Sequence, residues 1–120
     1  MEGLSKKERL CGKSAIANLL QKGRFGHEGC LKFCWHYDAN ATDCNRMMVS
    51  VSKRFFKRAV KRNLLKRRLR EAYRRSKDLL GVTCGCDIMF IYNSKEVADY
   101  KEIKEAVEKI MAYVKDKIDS

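Results

Sequence analysis

Apolar residues recur along this chain with two different periods, and the switches between them mark the elements. Leu31, Phe33, Trp35 and Tyr37 alternate with Lys32, Cys34 and His36, the pattern of a half-buried strand. Met47 to Ser52 alternates too, with Val49 and Val51 facing one way and Met48, Ser50 and Ser52 the other. The turn cluster between them, Asp38 to Asn45, predicts that these two strands pair as a hairpin. Asp87 to Tyr92 is apolar on both faces, as suits a covered inner strand. Three segments carry the helical period instead. Ser14 is expected to cap a first helix with Ile16, Leu19 and Leu20 as its apolar positions, and Gly23 to stop it. Lys57 to about Lys77 lacks Gly and Pro, aligns Leu65, Leu69, Ala72 and Tyr73 on one stripe, and runs out near Gly81. Asp99 and Glu102 form a capping box for a last helix with the stripe Ile103, Val107, Ile110, Met111, Val114 and Ile118. Residues 1–12 read as a polar, basic arm or short strand, with Ser5 and Glu8 as a weak capping pattern. The order helix, strand, strand, helix, strand, helix predicts an α+β fold, a single-domain α/β sandwich spanning residues 1–120, with no repeats and no linker.

A chain of 120 residues with 45% hydrophobic residues suffices for one modest core. No run of eighteen apolar residues is present, so no membrane span is expected. The N-terminal MEGLSKKERL lacks the apolar run of a secretory signal, which implies a cytoplasmic chain with reduced thiols. Six cysteines, Cys11, Cys30, Cys34, Cys44, Cys84 and Cys86, then read as small apolar residues. Their close pairs do not have the common C-x-x-C spacing of a zinc site, so no bound metal is expected.

Charge changes the picture more than composition does. Lys53 to Arg75 holds twelve Lys and Arg against Glu71 alone, a net of +11 within a chain of formal charge +12. The remaining residues carry 15 bases and 14 acids, close to neutrality. On a helix, Arg62, Asn63, Lys66, Arg67 and Arg70 fall within roughly 140° beside the apolar stripe. Like charges at these spacings repel. A solvated basic face without a partner would be costlier than a neutral one, so the array is the footprint of a polyanion that repays the repulsion through counterion release. Docking on acidic lipid is the weaker reading, because it needs a bulky apolar face left exposed, whereas Leu65, Leu69 and Tyr73 are committed to the core.

Protein-borne catalysis finds little support. Asp87 with Glu102-Ile103-Lys104 is the nearest approach to a carboxylate metal site, and Glu102 is better explained as a capping residue. His27 and His36 lie nine residues apart and do not suggest a histidine pair for acid–base cleavage, and no Gly-rich phosphate loop is present.

The run AVKRNLLKRRLREAY (Ala59 to Tyr73), preceded by Ser50-Val51-Ser52-Lys53-Arg54, resembles the signature of the bacterial ribonuclease P protein subunit. In that family a strand ending in Ser-Val-Ser leads through two bases into a helix bearing Arg-Asn-x-x-Lys-Arg-x-x-Arg-Glu and then an aromatic. Here those positions are Arg62, Asn63, Lys66, Arg67, Arg70, Glu71 and Tyr73. Arg9-Leu10, Gly23 and the overall length extend the likeness over nearly the whole chain. The resemblance implies the fold of the second domain of ribosomal protein S5, with an unusual left-handed βαβ crossover where the general rule gives the right-handed one. It implies a subunit of an endoribonuclease whose RNA, with Mg²⁺, removes the 5′ leader of precursor tRNA, while the protein contributes no catalytic residue and binds no cofactor itself. Partners would be the catalytic RNA and precursor tRNA in a 1:1 complex. RNA contact would fall to Lys53, Arg54, Lys57, Arg58, Lys61, Arg62, Asn63, Lys66, Arg67 and Arg70. A leader cleft would involve Ile16, Leu20, Lys32, Cys34, His36, Ser50 and Ser52, provided that Phe33 and Trp35 point to the core. The opposite orientation would offer Trp35 as a stacking platform. Two departures stand out. The first helix has Ile16 and Leu20 where relatives often have aromatics, and Leu64 stands where a third base is common. The alternative is a ribosomal or other structural RNA-binding protein.

Overall fold

The structure is a computed structural model and describes residues 8–10 and 12–119. Its elements are α1 (Lys13–Lys22), β1 (Arg24–Glu28), β2 (Leu31–Tyr37), β3 (Arg46–Val51), α2 (Ala59–Ser76), a 3-10 turn (Lys77–Leu80), β4 (Cys86–Tyr92) and α3 (Tyr100–Asp119). The four strands form one sheet in the order β1-β2-β4-β3.

Two expectations are corrected. A strand, β1, precedes the first one foreseen, and it pairs antiparallel with β2. Its sequence, RFGHE, has no apolar alternation, because its inward position is a glycine over which another side chain lies. A Cβ on Gly26 would stand 2.3 Å from the Phe33 ring, and that ring packs edge-on against Tyr113 at 5.8 Å between centroids. Nor do β2 and β3 form a hairpin. β4 lies between them, antiparallel to β2 and parallel to β3. A strand apolar on both faces is most stable at the centre of a sheet, and that burial outweighs the short connection between β2 and β3.

Strand alternation divides the core between the two faces. Leu31, Phe33 and Trp35 of β2, Met47, Val49 and Val51 of β3, and Ile88, Phe90 and Tyr92 of β4 face α2 and α3. Phe33 and Trp35 are therefore core residues. Leu65, Leu69, Ala72 and Tyr73 supply the buried stripe of α2, and Ile103, Val107, Ile110, Met111 and Val114 that of α3, with Ile118 half-buried behind them. On the opposite face α1 covers a smaller cluster of Leu10, Leu19, Cys34 and Met89.

The β3–α2–β4 crossover is left-handed. Met47 sends its side chain into the core shared with α2, while its carbonyl accepts the Leu10 amide (2.9 Å) at the outer edge, away from β4. In a chain of L-residues, a strand residue pointing at the viewer and running upward turns its amide and carbonyl to the right. Seen from the helices, β4 thus lies to the left of β3, the uncommon sense for such a unit.

Helix ends follow local chemistry, with one exception. Gly81, at φ 73°, ends the 3-10 turn after α2, and the Asp99 carboxylate accepts the Glu102 amide at 2.8 Å to cap α3. Ser14 does not cap α1: the N-cap is Gly12, and Ser14 lies within the first turn with no side-chain capping bond at that end. Glu8 and Arg9 place the basic arm against the fold, with Arg9 bridged to Met47, while Ser5 lies outside the described residues. The close fit at Gly26 yields a prediction. Gly26→Ala is expected to cost about 1–3 kcal/mol of stability by overpacking in urea denaturation, part of which Phe33→Leu restores. An unchanged midpoint in Gly26→Ala would contradict the packing described.

Candidate nucleic-acid interface

The basic helix is held from one side. Leu65, Leu69 and Ala72 are completely buried against the sheet and α3, which fixes the rotation of α2 and hence the direction of every other side chain on it. The helix starts at Ala59, two residues later than the composition suggests, with Arg58 in extended conformation as N-cap. The first turn has neither an acidic residue nor a side-chain cap. Its open amides and the positive end of the helix dipole therefore add to the charge of the neighbouring bases.

Ser52 shapes the approach to this helix. Its carbonyl accepts the amides of Phe55 (3.3 Å) and Phe56 (3.2 Å), and its hydroxyl accepts the Arg54 amide (3.0 Å). Phe56 buries its ring beside Tyr92, so Lys53, Arg54, Lys57 and Arg58 stay exposed around an anchored turn. Arg62 completes the turn from the helix side. Its Nη1 donates to the carbonyls of Phe56 (2.7 Å) and Lys57 (2.8 Å). Arg62 is thus a brace for the loop as well as a cation.

The other bases sort by partner. Arg74 and Arg75 are paired with Glu71 at 2.8 and 2.7 Å, and Arg68 donates to the Ala98 carbonyl. These three belong to the internal structure. Lys53, Arg54, Lys57, Arg58, Lys61, Lys66, Arg67 and Arg70 form no ion pair within the described residues. Lys61, Asn63, Arg67 and Arg70 are exposed and Lys66 half-buried. Partial burial and the neighbouring Arg9 lower the pKa of Arg70. Arg9 therefore extends the positive field, a contribution missed in the sequence because only the bridge to Met47 brings the arm alongside α2. The Lys77–Glu8 ion pair, 2.8 Å, pins that arm at the far end of the helix.

Of the residues expected at a leader cleft, Lys32, Cys34, His36 and Ser50 fall on rows across the α1 side of the sheet, Ser52 follows the end of β3, and Ile16 and Leu20 lie on α1. Strand register places Ser50, Ile91, Lys32 and His27 in one row, Met48, Met89, Cys34 and Phe25 in the next, and Arg46, Asp87 and His36 in the third. Lys32 and Ser52 are exposed, and Ser50 and His36 half-buried. Cys34 is not available: it is fully buried, its thiol directed to the Leu19 carbonyl at 3.5 Å, and burial raises its pKa. It supports the face from beneath α1. Ile16 is half-buried and Leu20 is 41% exposed. Phe25, 63% exposed on the same face, is a large aromatic that sequence reading overlooked because β1 was not foreseen.

The carboxylates considered for a metal site do not converge. Asp87 takes a bidentate contact from Arg46, at 2.9 and 2.8 Å, on the α1 side, whereas Glu102 lies in the first turn of α3 on the other side.

Glu71 gives a pH signature. Hydrogen bonds from Arg74 and Arg75 hold its pKa at about 2, below the ordinary 4.5. Its contribution is present above pH 4.5 and is lost as pH falls toward 2. Glu71→Gln should therefore lose less stability than the parent chain across that interval, as read by urea midpoints. Identical pH dependence would contradict the pairing.

Comparisons with known proteins agree with this architecture. The family model described as Ribonuclease P matches residues 4–115. The ribonuclease P protein component of Porphyromonas gingivalis is 34% identical over 113 residues, covering 89% of this chain and 82% of that protein. That of Petrotoga mobilis is 38% identical over 119 residues, covering 92% and 96%. Among solved structures, the RNase P protein of Thermotoga maritima superposes with a TM-score of 0.73 at 23% identity, covering 88% of this chain and 96% of that one. The RNase P protein of Staphylococcus aureus gives 0.74 at 22%, covering 88% and 94%. With the Arg62 to Tyr73 motif on an anchored basic helix and a left-handed crossover beneath it, the chain belongs to the ribonuclease P protein family.

Proposed function

We propose that this chain, as a ribonuclease P protein, works beside the ribonuclease P RNA by neutralising ribose-phosphate charge along α2 and the turn before it. The observation that carries the reading is the set of bases without internal ion pairs on a helix whose rotation is fixed by Leu65, Leu69 and Ala72. Lys53, Arg54, Lys57, Arg58, Lys61, Lys66, Arg67 and Arg70 contact phosphate, Asn63 adds a neutral amide, and Arg62 holds the turn in shape while contributing its charge. Contacts of this kind position an RNA and do not read its sequence.

Hydrolysis belongs to the RNA partner and its Mg²⁺, in a 1:1 cytoplasmic complex. The 5′ leader of precursor tRNA passes over the α1 side of the sheet, along Ser50, Lys32 and Ser52 and past Ile16 and Leu20. The Ser52 turn joins that face to the start of α2, so one RNA strand can reach both. His36 lies at the opposite end of the face from Ser50, in the row of the Arg46–Asp87 pair, and contributes least.

Purified chain mixed with catalytic RNA and precursor tRNA at low Mg²⁺ is expected to stimulate cleavage at the mature 5′ end, while the chain alone cuts nothing. The triple variant Lys66→Ala, Arg67→Ala, Arg70→Ala should keep its circular dichroism and lose RNA affinity on the order of tenfold or more at physiological salt. Absence of stimulation by the parent chain would rule out the subunit role and leave a structural RNA-binding role.

A further inference from the structure

The loop between β2 and β3 meets the connection leading into β4 at two cysteines. Cys44 and Cys84 face each other in an isolated antiparallel bridge. The Asn45 amide donates to the Thr83 carbonyl at 3.0 Å, and the Gly85 amide to the Asp43 carbonyl at 3.0 Å. These two bonds bracket the pair, which therefore occupies a non-hydrogen-bonded position. At such positions facing Cα atoms lie ~4.5 Å apart and both side chains leave the same face. A disulfide needs a Cα separation of ~4.4–6.8 Å with Cβ atoms directed together, so the backbone already meets the requirement.

The bridge is held by groups other than the cysteines. Asn45 is buried; its Nδ2 donates to the Val82 carbonyl (2.7 Å) and its Oδ1 accepts the Cys86 amide (3.1 Å). The Asp38 amide donates to the Gly85 carbonyl (2.9 Å). Access separates this pair from the other described cysteines. Cys84 is exposed and Cys44 half-buried, whereas Cys30, Cys34 and Cys86 are buried. Burial raises the thiol pKa of all three, that of Cys86 to about 12. Cys44 also borders a cavity of about 430 Å³ with Glu8, Tyr73 and Lys77, whereas Cys84 stands outside it and is reached from solvent.

We propose that Cys44 and Cys84 are a disulfide-forming pair, closed by hydrogen peroxide and reopened by thiol exchange. The exposed Cys84 thiolate attacks one peroxide oxygen and becomes a sulfenic acid as the O–O bond breaks and, with a proton, water leaves. The Cys44 thiolate then attacks the sulfenic sulfur, forming the S–S bond and releasing the second oxygen as water after protonation. Two thiols lose two electrons in all, and one peroxide accepts them. The bond would tie the β2–β3 loop to the α2–β4 connection without using any residue of the basic face.

The test is mild hydrogen peroxide treatment of the folded chain, alkylation of remaining thiols and mass mapping of proteolytic fragments. A Cys44–Cys84 linkage, reversed by dithiothreitol and absent in Cys84→Ser, is expected. The oxidised parent should also unfold at higher urea than the reduced parent, because the closed loop restricts the unfolded chain, and Cys84→Ser should show no such shift. Linkage of Cys84 to any other cysteine, or full alkylation of both thiols after treatment, would overturn the proposal.

Discussion

One-sided burial of α2 is the constraint on which the rest depends. A helix bearing this many bases would turn freely and disperse its charge if Leu65, Leu69, Ala72 and Tyr73 were not packed on the sheet and α3. Fixing that stripe fixes the angular position of Lys66, Arg67 and Arg70 together. Repulsion along the face persists in the isolated protein, since only Glu71 opposes it within the helix, and Glu71 is already committed to Arg74 and Arg75. Core burial sustains the charge array, and in the proposed role a polyanion relieves its repulsion.

The left-handed crossover serves the same arrangement. Because β4 takes the centre of the sheet, β3 lies at its edge, with the Arg9 arm bridged to its outer side. The turn after β3 therefore emerges beside α2. Ser52 and Arg62 hold that turn from opposite ends, one with its hydroxyl and carbonyl, the other with a guanidinium on two carbonyls. The loop bases are thus presented by a braced structure, which would lower the entropy lost on the proposed RNA contact.

How much of this was legible in the sequence depends on whether its cause is local. The α2 stripe and its charged face repeat with the helical period, so both could be read directly. The inner character of β4 was also visible in DIMFIY, yet its consequence, the separation of β2 from β3, depends on sheet order, which no local pattern encodes. β1 escaped because Gly26 makes room for Phe33, a reason seven residues away and on another strand. The same gap hid Phe25. Ser14 is a good capping residue by type, but Gly12 already occupies the cap with a backbone that favours glycine (φ 93°). Cys34 alternates with Phe33 and Trp35 as an outward residue should, and only the position of Leu19 shows that outward here means beneath a helix. Arg62 was identified as a cation, while its bond to the preceding loop required coordinates.

The salt dependence of binding to ribonuclease P RNA tests the central claim most directly. If Lys66 and Arg67 each neutralise one phosphate, replacing either with Ala should flatten the plot of log affinity against log salt by about one unit, with the fold unchanged. A slope identical to that of the parent chain in both variants would contradict the account.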